Sequence, residues 1–223
     1  MPSMTDLPPS TVYAAVVCAI AVLGLLWAER RGARAARAAC KTIASTAFIA
    51  VALAAGALDT PYGQRVLLAL ALSWLGDVLL LARRSAVFLA GLGAFLLAHV
   101  VFAWAFAGWP LHGGGLLAGA VLMAGVGAVV LRLFWPRLKP LYRVAVPAYV
   151  MAIGVMCTLA IGAGAGAGSG AWWLPAAALA FAASDIAVAR ERFIGHAFAN
   201  KAWGLPLYYA AQLVLAASGA WRA

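Results

Sequence analysis

The sequence predicts an all-α polytopic membrane bundle of eight transmembrane helices, with both termini outside the cytoplasm. Three observations predict it. Of the 223 residues, 66% are hydrophobic and only 10% charged, against about half and about a quarter in a soluble domain. The apolar residues gather in eight runs, each near the roughly 20 residues that a helix needs to cross a bilayer. Lys and Arg gather in alternate gaps between those runs, as the positive-inside rule requires. The same figures exclude a water-soluble domain and a disordered chain. Three scattered cysteines, Cys18, Cys40 and Cys157, make no disulfide framework. One integral membrane domain over residues 1–223 is expected.

The first span, 10–28, follows MPSMTDLPPS, which has no Lys or Arg and so lacks the positive region of a cleaved signal peptide. Arg30, Arg31, Arg34, Arg37 and Lys41 fill the next gap and lead into span 42–58. The gap DTPYGQR precedes span 64–82, and Arg83 and Arg84 separate it from span 85–107. GWPLHGGG leads to span 114–134; Arg132, Arg137, Lys139 and Arg143 surround the turn into span 141–162. GAGAGAGSGA reads as a flexible external link, because it lacks the strand and the Lys-Ser/Thr of a phosphate loop. Span 171–189 follows it, and Arg190, Arg192 and Lys201 precede span 201–220. Only Arg65 and Arg222 of the sixteen basic residues fall on the other side. The net charge of +10 is therefore a topology signal, aided by anionic lipid headgroups, and no nucleic-acid partner is expected. The expected location is the bacterial cytoplasmic membrane.

Six acidic residues can each be placed. Asp6, Glu29, Asp59 and Glu191 fall at ends or in gaps; Asp77 and Asp185 fall inside spans. Asp77 lies six residues before Arg83 and Asp185 five before Arg190, about 8–9 Å below the cytoplasmic flank at 1.5 Å per residue. Both spans run the same way, so the two carboxyls share a depth. An ionisable group there costs about 2.5–3.5 kcal/mol and marks a functional site. The bland alternative is a carboxylate paired with a nearby Arg, holding helices together. Lys41, Ser45, Ser73, Tyr149, Tyr208, Tyr209 and Gln212 fall in the same layer, with His99 deeper in FLLAHVVFAWAF. Tyr209 and Gln212, three apart, share a helix face. These residues sketch a polar pocket whose ligand spacing does not name: an ion or proton site, a lipid-headgroup site and an enzyme centre all fit. No metal-ligand spacing is present.

The segments SWLGDVLLLAR (73–83), FLAGLGAFLLAHVVFAWAF (88–106), LAFAASDIAVARERF (179–193) and LYYAAQLVLA (207–216) resemble, in residues and in order, the YhhN family of TMEM86-type lysoplasmalogenases. The resemblance covers about residues 40–217. Lys41 and Thr46 are similar to the family's K-P-x-x-T segment, with Thr42 standing in place of the Pro. It implies an eight-helix membrane enzyme that hydrolyses the vinyl ether bond of lysoplasmalogens. The products are a fatty aldehyde and a glycerophospho-ethanolamine or -choline. It implies roles for Asp77, His99, Ser184, Asp185, Tyr209 and Gln212.

Vinyl ether hydrolysis requires a proton on the carbon β to oxygen, then water on the resulting oxocarbenium ion, then collapse of a hemiacetal. One carboxylic acid and one carboxylate flank such a cation in glycosidases, and a shared low-dielectric site favours that split. Asp77 and Asp185 are the expected catalytic pair, facing one internal pocket. Lys41 or the cytoplasmic arginines are expected to hold the phosphate. Tyr209 and Gln212 are expected to hold water or glycerol hydroxyls, and His99, Tyr149 and Ser184 to complete the substrate-binding set. The expected partners are a lysophospholipid substrate and membrane lipids; no metal or cofactor is called for. Two other classes compete: a proton-coupled transporter, whose membrane acids relay protons, and a non-catalytic lipid-binding protein.

Overall fold

A computed structural model describes residues 8–82, 84–168 and 171–221. Asp6, Arg83, Arg222 and the Ser169-Gly170 pair of the glycine-rich link lie outside the described residues. The described residues form eight α-helices and no strand: α1 (Pro9–Arg31), α2 (Arg34–Ala54), α3 (Pro61–Leu79), α4 (Ser85–Ala107), α5 (Gly113–Phe134), α6 (Tyr142–Gly166), α7 (Trp173–Phe193) and α8 (Phe198–Ala217). Six of them are long and apolar enough to cross a membrane; α3 and α8 do not meet that measure. Those two are among the shortest and carry Gln64, Arg65 and Asp77, or Asn200, Lys201 and Gln212.

Local chemistry sets the helix ends. Gly32 closes α1 in the left-handed conformation at φ 66°, its N–H returning to the carbonyls of Ala28 and Glu29. Thr60 caps α3 by accepting from the Gly63 N–H, with Pro61 at the first helical position. His112 caps α5 by accepting from the Gly115 N–H at 3.2 Å.

Most boundaries differ from the hydropathy reading by three residues or more, and four of these shifts bear on the site and its surroundings. Helix α2 begins at Arg34 rather than 42, because Arg-Ala-Ala-Arg-Ala-Ala is built of strong helix formers. Helix α7 continues to Phe193 and α8 begins at Phe198, so Glu191, Arg192 and Lys201 are helical residues. Helix α6 runs to Gly166, which makes the first half of the glycine-alanine run a packed helix end and not a link. Its Gly162 carbonyl accepts from the His112 N–H at 3.0 Å. A Cβ on Gly162 would meet Leu116, one on Gly164 Pro175, and one on Gly166 the carbonyl of Pro110.

Consecutive helices pack as antiparallel pairs, α1 with α2, α3 with α4, α5 with α6 and α7 with α8. Helix α8 also touches α1, α2 and α3, while α6 joins α4 and α7. Helix α5 is peripheral. It lays Gly115, Gly119, Met123 and Gly127, four residues apart, against α6, the small-residue contact that lets membrane helices approach closely. Its other face exposes Leu117 and Val121, and Val144 and Met151 of α6 are likewise about two-thirds or more exposed. Apolar surface of this extent facing outward belongs against hydrocarbon. Inside lie Leu25, Phe48, Leu70, Phe102, Phe106, Met156, Leu174, Phe181 and Leu215, all fully buried. The core gathers on α1–α4 and α6–α8, leaving a polar cavity at the end of the bundle where α1, α3 and α7 finish and α2 and α8 begin.

Candidate active site

The cavity encloses about 600 Å³. Helix α2 supplies Arg37 and Lys41, one turn apart; α3 supplies Asp77; α6 supplies Tyr149. Ser184, Asp185, Val188, Glu191 and Arg192 enter from one face of α7, at the i, i+1, i+4, i+7 and i+8 positions of a helical stripe. Lys201, Gly204, Leu205 and Tyr208 do the same from α8. Both intramembrane aspartates line this one cavity, and each has its own set of partners.

Asp77, on α3, is 2% exposed. Its Oδ1 lies 3.0 Å from the Lys41 ammonium. Its Oδ2 accepts from the Ser45 hydroxyl at 2.7 Å and from the Tyr208 hydroxyl at 2.8 Å. Lys41 and Ser45 reach it from successive turns of α2. Tyr209 stands behind this cluster, its hydroxyl 3.1 Å from Ser45 Oγ and 3.4 Å from the Lys41 carbonyl. Gln212 is fully buried, with its amide beside the Tyr208 hydroxyl.

Asp185, on α7, has a different environment. Its Oδ2 lies 3.2 Å from His99 Nε2, and the Tyr149 phenol is within hydrogen-bonding reach. His99 is fully buried on α4, and its Nδ1 lies 2.6 Å from the Phe95 carbonyl oxygen. A carbonyl only accepts, so Nδ1 carries a hydrogen. Nε2 of the neutral ring then keeps its lone pair beside the carboxyl, and neither Nε2 nor Oδ2 has an aligned hydrogen bond among the described residues. A small turn of either side chain would let one proton pass between imidazole and carboxyl. The Phe95, Phe181 and Tyr208 rings pack edge to face, 5.5–6.3 Å apart, with Tyr208 on Asp77 and Phe181 against the His99 ring.

The sequence reading assigns cytoplasmic arginines to the phosphate but gives Glu29, Glu191, Asn200 and Lys201, which build the rim, no part in the site. Lys201 bridges Glu29 at 2.8 Å and Glu191 at 3.4 Å. Glu191 also accepts from Asn200 and from the Ala197 N–H, and pairs with His196 at 3.0 Å. Arg37 stands 4.0 Å from Glu29. Of the expected set, Lys41, Asp77, Tyr149, Ser184 and Asp185 line the cavity, whereas His99, Tyr209 and Gln212 stand behind its wall. Ser184 spends its hydroxyl on the Phe181 carbonyl at 2.7 Å. Tyr208, rather than Tyr209, touches Asp77. Among the described residues no three His, Cys, Asp or Glu side chains converge as metal ligands.

A second cavity, of about 330 Å³, adjoins the first. Helices α5, α6 and α7 build it from apolar side chains, among them Leu122, Val126, Ile153, Leu179 and Ile186. Polar and apolar cavities share Phe88, Leu92, Tyr149, Asp185, Val188 and Arg192.

An α-helical integral membrane protein with a charged internal cavity opening into an apolar groove is the class that these features define. The chain belongs to the YhhN family, whose model matches residues 36–219. It is 36% identical over 183 residues to a lysoplasmalogenase of Mycobacterium bovis, covering 78% of this chain and 67% of that one. It is 31% identical over 166 residues to lysoplasmalogenase TMEM86A of Bos taurus (72% and 67% covered), and 30% identical over 165 residues to that of Homo sapiens (72% and 67%). No solved structure matches.

Proposed function

We propose that this chain is a membrane-embedded hydrolase that cleaves the vinyl ether bond of lysoplasmalogen-type lysophospholipids. The observation that carries the reading is the pair of aspartates on one cavity, one 3.2 Å from His99 and one ringed by donors. The names of the relatives support the substrate class.

The two environments divide the labour. Ser45, Tyr208 and Lys41 present the donor set that an ionised carboxylate accepts from, so Asp77 is the anion facing the developing cation. The His99–Asp185 pair supplies the acid. Its proton and the π electrons of the double bond form a C–H bond at the vinyl carbon β to oxygen, leaving an oxocarbenium ion. Water adds to the α carbon, giving its proton back to the pair. That proton then passes to the glycerol oxygen as the hemiacetal C–O bond breaks, the hemiacetal hydroxyl returns its own proton to the pair as its oxygen becomes the aldehyde carbonyl, and aldehyde and glycerophospho-alcohol leave. The pair ends as it began, with one water consumed. This is the glycosidase logic of one acid and one anion about a cation.

The purified chain in lipid nanodiscs is expected to release fatty aldehyde from a 1-alkenyl lysophospholipid and none from its saturated 1-alkyl counterpart. A coupled aldehyde-reductase assay reads this directly, and equal inertness toward both lipids would sink the proposal.

All eight helices are proposed to cross the bilayer of a bacterial cytoplasmic membrane as one unit, both termini outside the cytoplasm. The support is the clustering of Arg30, Arg31, Arg84, Arg137, Lys139, Arg192 and Lys201 at one end of the bundle. A phosphatase reporter fused after Ala223 is expected to be active outside the cytoplasm; activity only of a cytoplasmic reporter there overturns the orientation.

A further inference from the structure

Each cation of the polar cavity has a carboxylate partner except one. Lys41 is paired with Asp77, Lys201 with Glu29 and Glu191, and Arg37 with Glu29. Arg192 makes no ion pair among the described residues. Its Nη2 donates to neutral oxygens only, Tyr142 at 3.1 Å and Ser85 at 3.5 Å, and its guanidinium lies over the Phe88 ring at 4.3 Å. These contacts hold the fork in place without neutralising it. Arg192 is also one of the few residues common to both cavities.

Position adds to charge. Asp185 and Arg192 lie seven residues, two helical turns, apart on one face of α7, about 10 Å along the axis. An arginine side chain in a helix leans back toward the N-terminus, here toward Asp185. The distance left suits the three glycerol carbons between a 1-linked chain and a 3-phosphate. From Asp185 the apolar groove continues along α7 to Leu179, walled by Leu122 and Val126 of α5 and floored by Ile153 of α6. Both cavities fall within the roughly 300–1,000 Å³ of small-molecule sites.

We infer that the two cavities are the arms of one site for a single-chain phospholipid, with its phosphate on Arg192, its hydrocarbon chain in the α5–α6–α7 groove, and its first chain carbons beside Asp185. A guanidinium suits this task because its planar fork grips a phosphate through two parallel hydrogen bonds. The apolar groove runs from Arg192 and Phe193 at the bundle end past Asp185 to Leu179, so the lipid would keep its headgroup at the bundle end and lay its chain toward the bilayer depth. That the chain is a 1-alkenyl ether rests on the hydrolase reading; the two-armed site does not.

A saturated 1-alkyl lysophospholipid separates binding from chemistry, since it has no vinyl group to protonate. Its affinity for the chain in nanodiscs is to be measured beside 1-alkylglycerol, which lacks the phosphate, and inorganic phosphate, which lacks the chain. Arg192→Gln is expected to weaken the alkyl lysophospholipid about 10- to 100-fold, the worth of charge-assisted hydrogen bonds, and to leave 1-alkylglycerol unchanged. Arg192→Lys should recover part of the loss. Inorganic phosphate should bind far more weakly than the lipid. Val126→Trp, on the exposed wall of the groove, should weaken long-chain analogues more than short-chain ones. On an active chain Arg192→Gln should raise KM with little change in kcat, the signature of uniform binding. Equal affinity of wild type and Arg192→Gln for the alkyl lysophospholipid removes the phosphate anchor, and indifference of Val126→Trp to chain length removes the groove. Arg192-dependent lipid binding by a chain that releases no aldehyde leaves this inference standing and ends the hydrolase reading. Aldehyde release with the KM of Arg192→Gln unchanged does the reverse.

Discussion

Asp185→Asn is expected to lower aldehyde release by about 10²–10⁴-fold, the usual worth of a general acid, while the protein folds and inserts as before. The substitution keeps shape and hydrogen-bonding capacity. His99 Nδ1 stays on the Phe95 carbonyl, so Nε2 still presents a lone pair that the Asn amide N–H can satisfy. What disappears is a transferable proton and the ability to take it back. Asp77→Asn should cost a comparable factor by a different route, because a neutral amide no longer faces the oxocarbenium ion. The rate needs one group protonated and one ionised, so wild type should show a bell-shaped pH profile whose limbs belong to the coupled site. Carboxylates that merely hold helices together would behave otherwise: melting temperature would fall while turnover per folded molecule stayed near normal. Turnover and melting of the same preparations therefore separate the two roles.

The sequence carried the fold and the two aspartates for the same physical reason. In a chain this apolar, a run of hydrophobic residues has one use, and a carboxyl inside such a run is conspicuous. Helix ends were harder to read. Hydropathy stops where charges begin, yet the Arg-Ala start of α2, the Arg-Glu-Arg end of α7 and the Asn-Lys start of α8 are helical. That early cut assigned Glu29, Glu191, Arg192 and Lys201 to gaps, when they line the rim of the cavity. Charges counted for topology hid charges that build a site. Rotation about a helix axis was the other gap. Tyr208 and Tyr209 differ by about 100° around α8, and only the packing of α8 against α2 and α3 decides that Tyr208 meets Asp77 while Tyr209 meets Ser45. The pairing of His99 with Asp185 joins α4 to α7 across 86 residues, and no local pattern announces it. The glycine-alanine run shows the converse error: glycine reads as flexibility in isolation, but here its missing side chains admit Leu116 and Pro175.

Lys41→Met is expected to destabilise the folded state by about 3–5 kcal/mol, the typical result of removing one member of a buried ion pair. The Lys41 ammonium lies 3.0 Å from Asp77, and the two side chains are 14% and 3% exposed. Methionine retains most of the aliphatic stem and removes the charge, so packing changes little and the loss reports on electrostatics. Asp77 would keep Ser45 and Tyr208 as donors, which places the cost nearer the lower end of that range. Asp77→Asn in the same background should then cost less than in wild type, because the partner it abandons is already gone. A double-mutant cycle of unfolding free energies in mixed micelles measures this coupling, expected to reach about 1–3 kcal/mol for groups in direct contact. A lysine that instead extends its ammonium to the aqueous boundary, as long basic side chains near helix ends often do, predicts a different outcome. Lys41→Met would then leave stability near wild type, the cycle would close with no coupling, and Asp77 would be carried by its two hydroxyl donors alone.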